Sequence, residues 1–225
     1  MENLDQLTAT IALTMGVGWA SGINLYAAVL TLGLMNNMGY MTLPPEMAVV
    51  ANPLVLAAAG FMYCVEFFAD KTPGVDTGWD ALHTFIRLPA GAALAAAAVG
   101  DVSPALQIAA GLVGGTLAAG SHAFKSGGRV LINTSPEPVT NWTASIAEDI
   151  AVIGGLWVAL NHPVLFLAAL ALFIVVLVWL LPRIWRGIRR VFRMLGSWFG
   201  GRGSDPGEAN GRPSALPRSV RDRTP

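Results

Sequence analysis

Pro163-Val-Leu-Phe-Leu-Ala-Ala-Leu-Ala-Leu-Phe-Ile-Val-Val-Leu-Val-Trp-Leu-Leu181 is an unbroken run of nineteen residues without a charge, a glycine or an amide side chain. At about 1.5 Å of rise per residue, roughly 20 apolar residues cross a hydrocarbon core about 30 Å thick. The run therefore reads as a transmembrane helix. Its direction follows from what comes next: residues 183–225 carry ten arginines against three acidic residues. Basic residues beside a span mark its cytoplasmic end.

Working outward, five more apolar stretches of similar length lie near 7–35, 47–69, 77–99, 102–124 and 142–160. Of the 225 residues, 54% are hydrophobic and 12% charged, where soluble domains carry roughly a quarter charged. The expected fold is an all-α membrane protein, a bundle of about six transmembrane helices over 1–182. The chain begins Met-Glu-Asn-Leu-Asp, with no basic segment and no small-residue cleavage site, so the first stretch is expected to remain as a span. That stretch is too long for one simple span, and Gly16, Gly18, Ser21, Gly22 and Asn24 interrupt its middle. A kinked or discontinuous helix accounts for these residues where protein covers the freed backbone. Close packing of helices on small residues is the other account.

Six spans put both termini in the cytoplasm. The turns at 36–45, 100–104 and 161–162 then face outward, and the loops at 70–76 and 125–141 face inward. Lys71, Lys125 and Arg129 fall on the cytoplasmic side and Arg87 in that half, as the positive-inside rule requires.

Residues 1–182 hold four basic and eleven acidic residues, so the basic charge belongs to the tail. This distribution points to anionic lipids as the partner and excludes a nucleic-acid domain. Over 183–199, Arg183, Arg186, Arg190 and Arg193 share one helical face, while Trp185, Ile188, Phe192, Leu195 and Trp198 occupy the other. Such a segment is expected to lie as an amphipathic helix in the headgroup region. Residues 200–225, rich in Gly, Pro, Ser and Arg, are expected to be disordered. The single cysteine, Cys64, excludes an internal disulfide or a thiolate metal cluster.

The remaining charges concentrate on the cytoplasmic half. An ionisable group at the centre of a span costs about 2.5–3.5 kcal/mol on insertion scales, so it faces the bundle interior or water. Asp76, Asp80, His83 and Arg87 follow one another at 4, 3 and 4 residues, which puts all four on one helix face. Glu66 and Asp70 lie one turn apart at the end of the preceding span. His122, Lys125 and Arg129 share a face if their helix runs through Gly127-Gly128. With Asn24, Lys71, Glu148 and Asp149, these are the candidates for a substrate or proton pathway. Asp80, His83, Arg87, Lys125 and Glu148 are expected to converge on one site. The structural accounts are local: Asp76 as a helix cap, Ser145-Ile-Ala-Glu148 as a capping box, Arg87 in a purely structural ion pair, and the histidines as hydrogen-bonded bundle residues.

Two motifs carry a resemblance. One is Asp70-Lys-Thr-Pro-Gly-Val-Asp76-Thr-Gly-Trp-Asp80-Ala-Leu-His83 with Arg87 and Pro89. The other is His122-Ala-Phe-Lys125-Ser-Gly-Gly-Arg129, running on to Asn133, Glu137, Asn141, Ser145 and Glu148-Asp149. Together they resemble the bacterial membrane family known as domain of unknown function 4126, over roughly residues 10–160. The resemblance implies a bacterial cytoplasmic membrane and marks the same polar residues, but implies no reaction.

Three functions fit. A small secondary transporter or permease would use the broken helix and the polar site for an anionic or proton-coupled substrate. A membrane enzyme on a phosphorylated lipid would hold Mg²⁺ on Asp70, Asp76 and Asp80. A scaffold would use the charges structurally. No catalytic residue, metal or cofactor is assigned otherwise, and assembly with further copies of the chain stays open. Reporter fusions after Leu181 and within 125–141 should report the cytoplasm, and fusions within 36–45, 100–104 and 161–162 the outside. A cytoplasmic signal at Asn161–His162 would contradict six spans.

Overall fold

The structure, a computed structural model, describes residues 2–72, 74–133 and 138–200. Helix α1 runs Glu2–Asn37 and a 3₁₀ helix spans Pro45–Ala51. Then come α2 (Pro53–Ala69), α3 (Val75–Ala98), α4 (Pro104–Ile132), α5 (Pro138–Asn161) and α6 (Pro163–Gly200). Prolines set most of these starts, because the first helical residue has no intrahelical use for its N–H. Asn52 adds a side-chain cap to α2, accepting the Leu54 N–H at 2.9 Å. Gly74, at φ 85°, turns the chain from α2 into α3, and Gly100, at φ 73°, from α3 into α4; both conformations suit a residue without Cβ.

Helices α1, α3, α5 and α6 are long and apolar enough to cross a membrane. The 47–69 stretch is divided: the 3₁₀ helix and α2 meet at 59° and together count as a fifth such element. Pro45 and the Asn52-Pro53 pair start two separate helices there, and Met47 and Val50 turn into the core. Helix α4 is 29 residues long but rich in Gly, Ala and polar residues, so length and composition alone do not make it a span.

The core is built around α1, which packs against every other helix. Val17, Ala20, Ala28 and Leu32 meet Met47, Ala95, Val152 and Leu156 in one apolar cluster, and Trp19 meets Phe166 and Phe173 edge-on at 6.0 and 6.2 Å. On the α3–α4 side the contact is between small residues. A Cβ on Gly18 would stand 2.7 Å from the Gly114 Cα, and one on Gly22 would overlap Ser121 and the Ala118 carbonyl. Backbones at this separation admit only small residues.

Both accounts of the α1 glycines hold together. The helix is also broken, at Asn24, whose φ of −147° and ψ of 97° are extended. Asn24 is an internal N-cap: its Oδ1 accepts the Ala27 N–H at 3.0 Å, three residues on.

Two expected boundaries move. Helix α4 continues through Gly127-Gly128 because Gly127 faces Ile184 of α6, where a Cβ would stand 2.6 Å from the Ile184 Cγ2. Helix α6 runs through Pro182 without ending, so the 163–181 span and the 183–199 segment are one helix. A mid-helix proline costs about 3 kcal/mol; here Ile184 is buried and Gly187 packs on Leu131, which draws the turns after Pro182 against α4. The Phe192, Leu195 and Trp198 side chains expected on its apolar face lie outside the described residues. So do Glu137 and the 201–225 tail.

Candidate functional site

Below the break in α1, four helices bring charged side chains to one point. The residues of α3 spaced at 3 and 4 turn inward, and Asp80, His83 and Arg87 are all buried. The same spacing on α4 buries His122, Lys125 and Arg129. Glu66 and Asp70 arrive from the end of α2, and Glu148 from α5.

Lys125 is the centre. Its Nζ lies 2.6 Å from Asp70 Oδ2, 3.3 Å from Glu66 Oε1, 3.4 Å from Glu148 Oε2 and 3.8 Å from Asp80 Oδ1. It also donates to the Ile23 carbonyl at 3.2 Å, on the residue before the α1 break. Arg87 donates through Nη2 to Glu66 Oε1 at 2.6 Å and through Nη1 to Asp80 Oδ1 at 3.0 Å. Arg129 grips Glu148 with Nε at 3.3 Å and Nη2 at 2.7 Å, and its Nη1 donates to the Asp70 carbonyl at 2.8 Å. Such two-pronged pairs are strong and directional.

The histidine tautomers follow from what their partners can do. A guanidinium only donates, so His122 Nδ1, 3.1 Å from Arg87 Nη1, is an acceptor. Its Nε2–H then faces Thr84 Oγ1 at 2.7 Å. A carbonyl only accepts, so His83 Nδ1–H donates to the Trp79 carbonyl at 3.0 Å. The His83 ring stacks on Trp79 and its Nε2 lies 3.2 Å from the Tyr26 hydroxyl.

Four carboxylates, Glu66, Asp70, Asp80 and Glu148, thus share three cations, Arg87, Lys125 and Arg129. Fully ionised, the network carries one negative charge too many, and burial makes that costly. Glu66 Oε2, Asp70 Oδ1, Asp80 Oδ2 and Arg87 Nε are buried without a hydrogen-bond partner among the described residues. Asp80 has the weakest hold of the four acids: one contact at 3.0 Å and one at 3.8 Å, both on the same oxygen. It is the position best suited to a proton.

The other candidates stand beside this network. Asp149 bridges three helices: Oδ1 accepts from Asn24 Nδ2 at 3.0 Å, and Oδ2 from the Tyr63 hydroxyl at 3.1 Å. Lys71 donates to Ser145 Oγ at 3.2 Å and sits over the Phe67 ring. Burial draws its ammonium below the ordinary lysine value, against the pull of Asp149 and Asp70. Asp76 is apart from the charges despite its place on the α3 face. Its oxygens accept from Asn133 Nδ2 at 2.8 and 2.9 Å, and Oδ1 also accepts the Gly74 and Thr77 N–H groups. Asp76 is therefore a start-of-helix anchor for the α4 end. Ser145-Ile-Ala-Glu148 is not a capping box, since α5 begins at Pro138 and Ser145 lies inside it. Tyr26, Tyr63 and Thr84 carry no motif; Tyr63, three residues before Glu66, and Thr84, four after Asp80, were within reach by helical spacing.

Of Asp70, Asp76 and Asp80, the carboxylates a Mg²⁺ site would need, Asp76 is held apart by Asn133, and Asp70 and Asp80 meet the Lys125 ammonium. Among the described residues no group of three or more His, Cys, Asp or Glu is arranged to hold a metal ion.

The pattern of the family described as Domain of unknown function (DUF4126) matches residues 11–183. The chain belongs to this family. The match takes in the sixth apolar stretch, which the motifs alone had left outside the DUF4126 resemblance, and stops at the first arginine of the tail. No curated protein and no solved structure matches the chain.

The odd charge separates two substitutions. Asp80→Asn balances the network and should leave the stability of the detergent-solubilised protein within about 1 kcal/mol of wild type or raise it. Arg87→Gln leaves buried carboxylates unpaired and should destabilise it by about 3–5 kcal/mol in the same denaturation measurement.

Proposed function

We propose that this membrane protein is a small secondary transporter in a bacterial cytoplasmic membrane, with its proton-coupling site in the Lys125 network. One observation carries the reading: the break in α1 is joined on one side to a buried network with an odd negative charge and on the other to the neighbouring Asp149. Lys125 holds the carbonyl before the break, and Asn24, at the break, holds Asp149. Discontinuous helices whose free ends meet ionisable groups are how transporters build sites at membrane depth. Of the two substrates expected from sequence, the proton-coupled one is favoured over the anion, because Arg87, Lys125 and Arg129 already face carboxylates. The arginines after Pro182 are taken as cytoplasmic and as meeting anionic lipids; the start of α1, where Ala9 and Leu13 share a cavity with Tyr40, Leu43 and Asn161, lies at the opposite end of the bundle. No cofactor enters this reading.

A second reading has an observation of its own. The network is closed, with every cation engaged, which is also what a non-catalytic scaffold would need.

The two differ in whether protons move. With the full chain in liposomes on a solid-supported membrane, a pH jump should give a transient charge displacement that Asp80→Asn abolishes. A silent wild type would overturn proton coupling and leave the scaffold.

A further inference from the structure

Asp149 occupies a second position of interest, at the foot of an apolar groove. On α5, Asp149, Ile153 and Trp157 follow at four-residue spacing and so form one stripe. On α1, Asn24, Ala27, Thr31 and Leu34 form the facing stripe. Between them lies a cavity of about 580 Å³, with Ala27, Thr31, Leu34, Ile153 and Trp157 on its walls and Tyr63 of α2 at its inner end. Tyr63, which borders the cavity, donates its hydroxyl to Asp149 Oδ2. Leu34, Ile153 and Trp157 are exposed on the bundle surface, so the groove opens sideways, where the bilayer would be.

The carboxylate at its foot has no cation in contact; Lys71 and Lys125 act on it only from beyond ion-pair distance. Asp149 is buried, yet it forms no ion pair among the described residues; both its oxygens are held by neutral donors, an amide and a phenol. This is unlike Glu66, Asp70, Asp80 and Glu148, each of which meets a cation. Apolar walls, three aromatic rings, Tyr40, Tyr63 and Trp157, and the Asp149 carboxylate one hydrogen bond behind Tyr63 together select one kind of guest. A cation is drawn to a carboxylate and to aromatic faces, and only an apolar body would fill the rest of the groove.

We propose that this groove binds a lipophilic organic cation, with Asp149 as its counter-ion and Tyr63 as the hydroxyl that occupies Asp149 when the groove is free. This deepens the transporter reading by naming its substrate class, and rests on that reading only for the movement of the cation. Asp149 is the residue after Glu148, so the groove and the Lys125 network meet at neighbouring positions of α5.

The full chain in nanodiscs of neutral lipid should bind tetraphenylphosphonium in equilibrium dialysis, above empty nanodiscs, and should not bind the equally bulky anion tetraphenylborate. Asp149→Asn keeps the side chain's shape and an acceptor oxygen, and should weaken binding roughly thirtyfold or more, the low end of what removing one partner of a buried charge pair does. Tyr63→Phe frees Asp149 Oδ2 without losing the ring, and should tighten binding. It keeps the test alive if Asp149→Asn does not fold. Equal binding of cation and anion, or weaker binding by Tyr63→Phe, would overturn the proposal and leave the groove to lipid chains. A wild type with a pH-driven charge displacement but no phosphonium binding overturns this inference alone. One that binds phosphonium without charge displacement overturns proton coupling alone.

Discussion

The Lys125 ammonium, within 4 Å of four carboxylates and one broken-helix carbonyl, is the constraint on which the polar half of this bundle depends. Its partners come from α1, α2, α3 and α5, so one side chain on α4 holds all the first five helices in register. Helix α2 depends on it most. Its packing on α3 is slight and it leans mainly on α1, whereas Glu66 and Asp70 hold it from the other side through Lys125 and Arg87. Buried ion pairs add little net stability over apolar packing, but removing one partner is expensive. Such a network specifies an arrangement more than it stabilises one.

Small residues make that reach feasible. Gly18 and Gly22 let α1 approach α4 at backbone distance, which brings the Ile23 carbonyl, one residue on, to Lys125. The extended turn at Asn24 then frees that carbonyl, and Asn24 caps the helix that resumes. Break and close packing are therefore one device. The glycines bring the helices together, and the break supplies the acceptor that the buried ammonium needs.

Much of this was legible in sequence because helical spacing is local. The 80, 83, 87 face and the 122, 125, 129 face follow from period 3.6 alone, and a buried charge must find partners, so their meeting was expected. What depended on tertiary contact was not legible. Asp76 lies on the same face as Asp80 but pairs with Asn133, because the chain has already reached the helix start there. Gly127-Gly128 and Pro182 are local helix breakers, and both are overridden where α4 and α6 pack on each other through Ile184. The Tyr63–Asp149 bond spans 86 residues, and no spacing rule reaches so far. The bend between the 3₁₀ helix and α2 was readable in Pro45 and Asn52-Pro53, but apolarity across 47–69 masked it.

The central claim is that three buried acids and the partly buried Glu148 share three cations and a proton, and that Asp80 holds the proton. Infrared spectroscopy of the full chain in lipid at neutral pH tests it most directly, through the C=O stretch of protonated carboxyl groups. A protonated-carboxyl band that shifts on deuteration and is lost in Asp80→Asn is the predicted result. A wild-type spectrum without that band would contradict the account, since the network would then hold its odd negative charge unprotonated.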